Sequence, residues 1–292
     1  MNAQHRLVPS GIINPALDRE YNARESVASF EAEYAKYVAV SAQVQRNHRR
    51  FADIVYDDAS GETLDLYPAD PHAPLFLWIH GGYWRASSKD DNAFVVEGLK
   101  ARGFSVAIMN YSLAPQATLD EIVRQTRAAV AFLHRQRAQY GLAERGFVVG
   151  GSSAGGHLVG MLLVGGWHAD FNVPQNVITV ALALSGLHDL EPLRHTHVDA
   201  WLGLDDASIA RNSPIRHIPE NAAARLLASV GGLETSEFQR QTVDYAARWV
   251  IAGHRAELIA MPGHNHFDIA LSLSEPDGVL VSALVEAVGF TR

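Results

Sequence analysis

The 292-residue sequence holds 24 basic and 32 acidic residues, and its net charge of −8 argues against nucleic acid or an anionic membrane as the main partner. It contains no cysteine, which excludes disulfides and thiolate chemistry, and 48% of its residues are apolar, enough to bury a large core. No stretch approaches the roughly 18 uncharged apolar residues that a membrane span needs. Because residues 1–10 show no signal-peptide pattern, we expect a cytoplasmic protein.

The chain opens with a segment of about 45 residues that precedes the first predicted strand. Residues 1–25 contain the breakers Pro9-Ser10-Gly11 and Asn14-Pro15 and are expected to be irregular. Residues 26–45 carry apolar side chains at helical spacing, and Ser26 is a candidate N-cap. We therefore expect an N-terminal helical segment that packs across the outside of the sheet or over the functional site.

Strands and helices alternate through the rest of the chain. Residues 51–56 and 63–67 alternate apolar and polar side chains around Ser60-Gly61 and predict a β-hairpin. Buried-type apolar runs predict strands at 75–79, 104–109, 147–149, 177–184, 225–230 and 256–261. Amphipathic patterns and helix-ending glycines predict helices at 90–102, 119–140, 157–163, 236–251 and 279–288.

This order of elements predicts the fold class. Alternating strands and helices favour an α/β fold with a mostly parallel central sheet of about eight strands and helices on both faces. Residues 190–222 are rich in Pro, His and Asp and predict a cap-like insertion with short helical turns. Because the sequence shows no internal repeat and no domain linker, we expect residues 1–292 to form a single domain.

One short stretch carries the strongest chemical signal. Gly151-x-Ser153-x-Gly155 lies between a predicted strand and a predicted helix, the context of a nucleophile elbow. The sharp turn demands small neighbours, and Gly151, Ala154 and Gly155 meet that demand. The pattern predicts Ser153 as a nucleophile at the carboxyl end of the sheet. The alternative is a glycine- and serine-rich turn without chemistry.

A serine nucleophile needs a base and an acid that orients the base. His266 follows the last predicted strand by a short loop and is the favoured base, with His264 as the rival. Glu234 follows the strand at 225–230 and is the favoured acid, with Asp189 as the rival. The order serine, acid, histidine is that of α/β-hydrolases. His157, on the elbow helix, is expected to be structural.

The oxyanion that forms during such a reaction needs N–H donors. His80-Gly81-Gly82 lies between a predicted strand and its helix, where its glycines let the backbone approach a substrate. The N–H groups of Gly81, Gly82 and Ala154 are therefore the predicted oxyanion hole. Tyr83 and Trp84 follow directly, and their rings are candidates for binding a flat substrate, with burial in the core as the alternative.

The stretch His80-Gly81-Gly82-Tyr83-Trp84 resembles the HGGxW motif of the arylformamidase (kynurenine formamidase) family of α/β-hydrolases. That family is related to the hormone-sensitive-lipase-like esterases, which usually carry HGGG at this place. Three further stretches are similar to the arylformamidases: Tyr21-Asn22-x-Arg24, Ser236-Glu237-Phe238-x-Arg240-Gln241 and His266-Phe267-Asp268. The resemblance spans about residues 20–290.

The resemblance implies an α/β-hydrolase fold with Ser153 as nucleophile and His266 as base. It places Glu234 where animal members carry an aspartate. The implied reaction is hydrolysis of N-formyl-kynurenine to kynurenine and formate, without a metal or other cofactor. The only expected partners are a small-molecule substrate and a second copy in a symmetric homodimer. A short-chain carboxylesterase, or a hydrolase of another small amide, stays open as the alternative.

Overall fold

The computed structural model describes residues 12–144 and 146–289, and within them eight strands form one sheet in the order β1-β2-β4-β3-β5-β6-β7-β8. The strands are β1 (Phe51–Asp57), β2 (Glu62–Tyr67), β3 (Leu75–Ile79), β4 (Ser105–Met109), β5 (Phe147–Ser152), β6 (Val180–Leu184), β7 (Arg225–Gly231) and β8 (Ala256–Met261). Strand β2 runs antiparallel to its neighbours β1 and β4, and all other neighbouring pairs are parallel. The predicted, mostly parallel sheet of about eight strands is therefore confirmed.

Helices cover both faces of this sheet. In chain order they are α1 (Pro15–Glu20), α2 (Phe30–Asn47), α3 (Val95–Ala101), α4 (Leu119–Gln136), α5 (Ala154–Leu163), α6 (Asp199–Leu202), α7 (Asp206–Asn212), α8 (Ser236–Ile251), α9 (Asp268–Leu271) and α10 (Val279–Val288). No helix among the described residues combines the length and the apolar character that crossing a bilayer would require.

Strand β3 shows how the two layers are built. All five of its residues are buried, because side chains on both faces of the sheet meet helices. Leu77 belongs to the core cluster that includes buried residues of α4, α5 and α8. Its neighbours Phe76 and Trp78 belong to the opposite cluster, with α3 and α10. The alternation of side chains along a strand thus divides the core into two layers.

The N-terminal segment differs from the prediction in two places. Residues 15–20, expected to be irregular, form α1, because the Asn14 side chain accepts hydrogen bonds from two N–H groups of the first turn and Pro15 occupies the first position. Helix α2 begins at Phe30, capped by Ser29, rather than at the predicted Ser26. The Ser26 hydroxyl instead donates to the Ala23 carbonyl. The predicted part of this segment before residue 12 lies outside the described residues.

Residues 190–222 contain the short helices α6 and α7 with two 3₁₀ turns and no strand, which agrees with the short helical turns predicted there. The stretch contacts helix α5, since Nε2 of His157 on α5 lies 2.7 Å from the Asn212 carbonyl oxygen. It also contacts the loop that contains His80-Gly81-Gly82, called the HGG loop below. The Trp201 indole N–H donates a 3.0 Å hydrogen bond to the Tyr83 carbonyl that follows these residues.

Candidate active site

Ser153 lies at a sharp turn between β5 and α5. Its backbone has φ 57° and ψ −116°, a positive-φ conformation that a serine rarely adopts. The turn closes because its flanking glycines touch backbone: a Cβ added to Gly155 would lie 2.0 Å from the Ile79 carbonyl oxygen, and one added to Gly151 would lie 2.5 Å from Gly155. The local sequence is therefore fitted to this strained turn, as the elbow motif predicts.

The structure brings His266 and Glu234 into direct contact. Nδ1 of His266 lies 2.5 Å from Oε2 of Glu234, and the two side chains are 6% and 1% exposed. The other carboxylate oxygen, Oε1, accepts hydrogen bonds from the Gly231 N–H at 2.7 Å and from the Ser185 hydroxyl at 2.6 Å. A carboxylate held in this way keeps the Nδ1–H tautomer of the histidine and leaves Nε2 to accept a proton.

Neither rival candidate, Asp189 or His264, belongs to this pair. The Asp189 carboxylate faces the Arg216 guanidinium at 3.6 Å and accepts the Glu191 N–H at 3.2 Å. Nδ1 of His264 is buried without a hydrogen-bond partner among the described residues. The geometry thus pairs His266 with Glu234, whose carboxylate reaches the histidine across 32 residues of sequence.

The HGG loop holds Gly81 against the elbow. A Cβ added to Gly81 would lie 2.9 Å from the Ser152 carbonyl oxygen and 3.3 Å from Cβ of Ser153, so only glycine fits this approach. Gly82 has φ +101°, a conformation that favours glycine. The N–H groups of Gly81, Gly82 and Ala154 donate to no residue that the structure describes. They are therefore available to a ligand beside Ser153.

Tyr111 fixes the direction of these N–H groups. Its hydroxyl donates to the carbonyl oxygens of His80 at 2.9 Å and Gly81 at 3.2 Å, and its ring stacks on the His80 ring. In a trans peptide the C=O and N–H groups point to opposite sides. Holding the two carbonyls therefore turns the N–H groups of Gly81 and Gly82 away from Tyr111.

A cavity of about 690 Å³ adjoins these residues, and Gly81, Gly82, Ser153 and His266 all line it. Aromatic side chains form a large part of its remaining wall. The aromatic side chains are Phe30, Tyr34, Tyr37, Trp78, Tyr83, Trp201 and Phe267. Part of the wall comes from the N-terminal segment, so that segment packs over the site, one of the two placements that the sequence predicted.

Trp84 does not have the predicted position at the cavity. Tyr83 and Trp84 both have positive φ angles, 51° and 56°, and this bend turns the Trp84 indole beneath the loop. The ring is fully buried, and its N–H donates a 3.3 Å hydrogen bond to Nδ1 of His157. Predicting both as substrate-binding residues was thus wrong for Trp84 as a direct contact, whereas Tyr83 does line the cavity.

His157 has the structural surroundings expected of it. Its ring is fully buried between the Trp84 indole and the Asn212 carbonyl oxygen. Burial lowers the pKa of His157 to about 4, because a charged imidazole loses hydration there, although the hydrogen bond to Asn212 opposes the shift. The neutral ring donates from Nε2 and accepts at Nδ1, and so joins the HGG loop to α5 and α7.

Two contributors to the site were missed by sequence reasoning. Ser185 follows β6 directly and Tyr111 follows β4, so each stands at the carboxyl end of a strand. That position was the only available signal, since neither residue belongs to a motif. No group of three or more His, Asp or Glu side chains arranged to hold a metal ion occurs in residues 12–144 and 146–289.

The chain is similar to known proteins in both sequence and structure. The BD-FAE family model matches residues 64–228. The kynurenine formamidase of Danio rerio is 30% identical over 244 residues, which are 81% of each chain, and that of Drosophila melanogaster is 25% identical over 76% of this chain and 72% of its own. Among solved structures, a Silicibacter protein assigned as a thioesterase superposes with a TM-score of 0.81 at 24% identity, covering 94% of this chain and all of its own. The esterase LipW of Mycobacterium marinum gives 0.72 at 20% identity over 96% and 98%.

Proposed function

The chain belongs to the kynurenine formamidase (arylformamidase) family of α/β-hydrolases, and we propose that it is a serine hydrolase of aryl formamides with N-formyl-kynurenine as its substrate. The membership confirms the family resemblance and the α/β-hydrolase fold predicted from the sequence. The activity class follows from the family, and the substrate and the roles of individual residues are our proposal. A cytoplasmic location and a symmetric dimer stay predictions.

The proposed reaction begins at Ser153. As His266 takes the hydroxyl proton on Nε2, Oγ of Ser153 forms a bond to the formyl carbon. The carbonyl oxygen becomes an oxyanion that the N–H groups of Gly81, Gly82 and Ala154 stabilise. His266 then protonates the arylamine nitrogen as the C–N bond breaks, which leaves a formyl ester on Ser153.

The second half of the reaction removes the formyl group. His266 takes a proton from water, the water oxygen attacks the formyl ester, and the proton passes to Oγ of Ser153 as formic acid leaves, which then loses its own proton to solvent and becomes formate. Glu234 keeps the His266 tautomer and stabilises its charged form in both halves. Every step uses side chains and backbone N–H groups of this chain, and we propose no metal or cofactor.

The observation that carries this proposal is the buried 2.5 Å contact between Glu234 and His266, which lines the same cavity as Ser153 and the HGG glycines. Burying a carboxylate is costly unless it is paired, and Glu234 is buried with His266 as its partner. A histidine without a role, exposed at the surface, would not have such a partner. The aromatic wall of the cavity favours a flat aryl leaving group, and the formyl group itself needs little room.

Replacing the nucleophile tests the mechanism. We expect Ser153→Ala to lower kcat for N-formyl-kynurenine by about 10⁴-fold or more, the loss typical of a removed nucleophile. Ser152→Ala is the matched control, since this neighbouring serine also lines the cavity but lies outside the motif position. Near-normal turnover by Ser153→Ala, with a correctly folded variant, would contradict the proposal.

A short-chain carboxylesterase is the second candidate, favoured by the structural likeness to esterases. The nucleophile, base and oxyanion donors would act in the same way on an ester. A comparison of kcat/KM on N-formyl-kynurenine and p-nitrophenyl acetate separates the two candidates. We expect the formamide to be preferred, and a strong preference for the ester would favour the second candidate.

A further inference from the structure

The N-terminal segment is fixed over the cavity by Tyr21. This residue is fully buried, its hydroxyl donates to Oε2 of Glu237 at 2.7 Å, and it accepts from the Gln241 side chain at 2.7 Å. The Tyr83 hydroxyl donates in turn to the Tyr21 carbonyl. Two motifs that the sequence singled out, at 21–24 and 236–241, therefore meet here although some 215 residues separate them.

This anchor places Arg24 in the cavity wall. Arg24 lies three residues after Tyr21, and its guanidinium lies over the Phe30 ring at 4.3 Å from the ring centre. Stacking on an aromatic ring holds a guanidinium while leaving its N–H groups free for an anion. Arg24 forms no ion pair or hydrogen bond with any residue in the described ranges.

The charge of the cavity wall is opposite to that of the whole chain. Although the protein has a net charge of −8, the described residues that line the cavity include two arginines, Arg24 and Arg85, and no aspartate or glutamate. Arg85 also lacks a carboxylate partner among the described residues and lies over the Trp201 ring at 4.4 Å. A cavity with this wall favours an anionic ligand.

The two arginines belong to different sides of the site. Arg24 stacks on the Phe30 ring, and the centre of this ring lies 5.4 Å from that of the Phe267 ring. The Phe267 ring lies 5.4 Å from the His266 ring. Arg85 stacks on the Trp201 ring, and the Trp201 N–H donates a hydrogen bond to the Tyr83 carbonyl beside the HGG glycines. Since the base protonates the leaving amine, the leaving group lies on the side of His266 and hence of Arg24.

We propose that Arg24 binds a carboxylate on the leaving-amine half of the substrate and so makes the enzyme selective for aryl formamides that carry a carboxylate. This inference rests on the proposed function and adds a substrate-specificity residue to it. N-formyl-kynurenine carries a carboxylate on that half, whereas simple aryl formamides and acetyl esters carry none. Arginine suits this role because its planar fork can donate two parallel hydrogen bonds to one carboxylate.

The test compares two substrates that differ only in the carboxylate, N-formyl-kynurenine and N-formyl-kynuramine. We expect Arg24→Met to lower kcat/KM for N-formyl-kynurenine by about 10- to 100-fold, mainly through KM, because a charge-assisted bond to the ground state is lost. For N-formyl-kynuramine the change should stay within about twofold. Arg24→Lys should recover part of the loss, since it restores the charge but not the fork.

Arg85→Met is the matched control, because this arginine is also exposed, stacks on an aromatic ring and lines the same cavity. The ratio of kcat/KM for N-formyl-kynurenine to kcat/KM for N-formyl-kynuramine should stay near the wild-type value in Arg85→Met. Equal losses on both substrates in Arg24→Met, no loss on either, or a loss of selectivity in Arg85→Met instead would each overturn the inference. A wild-type enzyme that hydrolyses neither formamide would contradict the proposed function itself, and the inference with it.

Discussion

The Ser185 hydroxyl donates a 2.6 Å hydrogen bond to Oε1 of Glu234, the carboxylate whose other oxygen contacts His266. Ser185 is fully buried and has φ 49°, so the turn after β6 is strained at the point where it meets the carboxylate. Glu234 therefore stands between two fixed donors and the histidine. In our proposal, Ser185 orients the acid that orients the base.

Ser185→Ala tests this orientation. Removing the hydroxyl leaves Glu234 with the Gly231 N–H and His266 only, and we expect kcat to fall about 10-fold with little change in KM. Ser229→Ala is the control, because its buried hydroxyl donates to the Ile259 carbonyl and touches no proposed catalytic group. Steady-state kinetics of both variants decide the matter, and equal kcat values in the two variants would count against a positioning role for Ser185.

Tyr111→Phe tests how the oxyanion donors are held. The variant keeps the ring that stacks on His80 but loses the bonds to the carbonyls of His80 and Gly81. We expect kcat to fall about 10-fold at nearly constant KM, since the donors act chiefly in the transition state. Tyr56→Phe is the control, because its hydroxyl bonds to the Asn110 carbonyl just before this tyrosine. A KM effect without a kcat effect would contradict the prediction.

Gly155→Ala tests the elbow. The new Cβ would lie 2.0 Å from the Ile79 carbonyl oxygen and 2.9 Å from that of His80, and backbone atoms on both sides cannot simply rotate away. We expect a loss of about 1–3 kcal/mol or more in unfolding free energy, together with a large loss of kcat. At Gly165 the nearest atom to a new Cβ is 3.9 Å away, so Gly165→Ala should change both little. Urea unfolding and kinetics on the two variants measure the contrast.

Stability should fall as the pH is lowered from about 6.5 to about 4. Burial lowers the pKa of His80 and of His157 to about 4, so in this range the unfolded chain binds protons that the folded chain does not. Each such histidine costs about 2 kcal/mol of stability between pH 6.5 and pH 5.

Urea unfolding at pH 7.5, 6 and 5 checks this prediction. His157→Gln should be less stable than the wild type at pH 7.5, because it disturbs the bonds to Trp84 and Asn212, but should lose less stability on acidification. An unchanged pH dependence in His157→Gln would mean that this histidine does not contribute.

Local patterns in the sequence predicted those elements whose cause is local. The helix at 236–251 and the strands at 75–79 and 256–261 have the predicted bounds, because their apolar periodicity and flanking glycines or prolines lie within a few residues. The helix predicted over 119–140 ends at Gln136, and α1 was missed because a six-residue helix leaves little periodicity. The elbow could be predicted for the same reason, since its tight turn imposes glycine at fixed spacing around Ser153.

The sequence by itself thus determined the order of strands and helices along the chain, the sharp turn at Ser153 and the loop with Gly81 and Gly82. Only the tertiary structure decided which carboxylate reaches His266, that Trp84 turns into the core, and that Tyr21 and Glu237 meet across 216 positions. The physical reason is that these contacts depend on how distant strand ends are brought to one edge of the sheet. Periodicity and capping act within a few residues and carry no information about that approach.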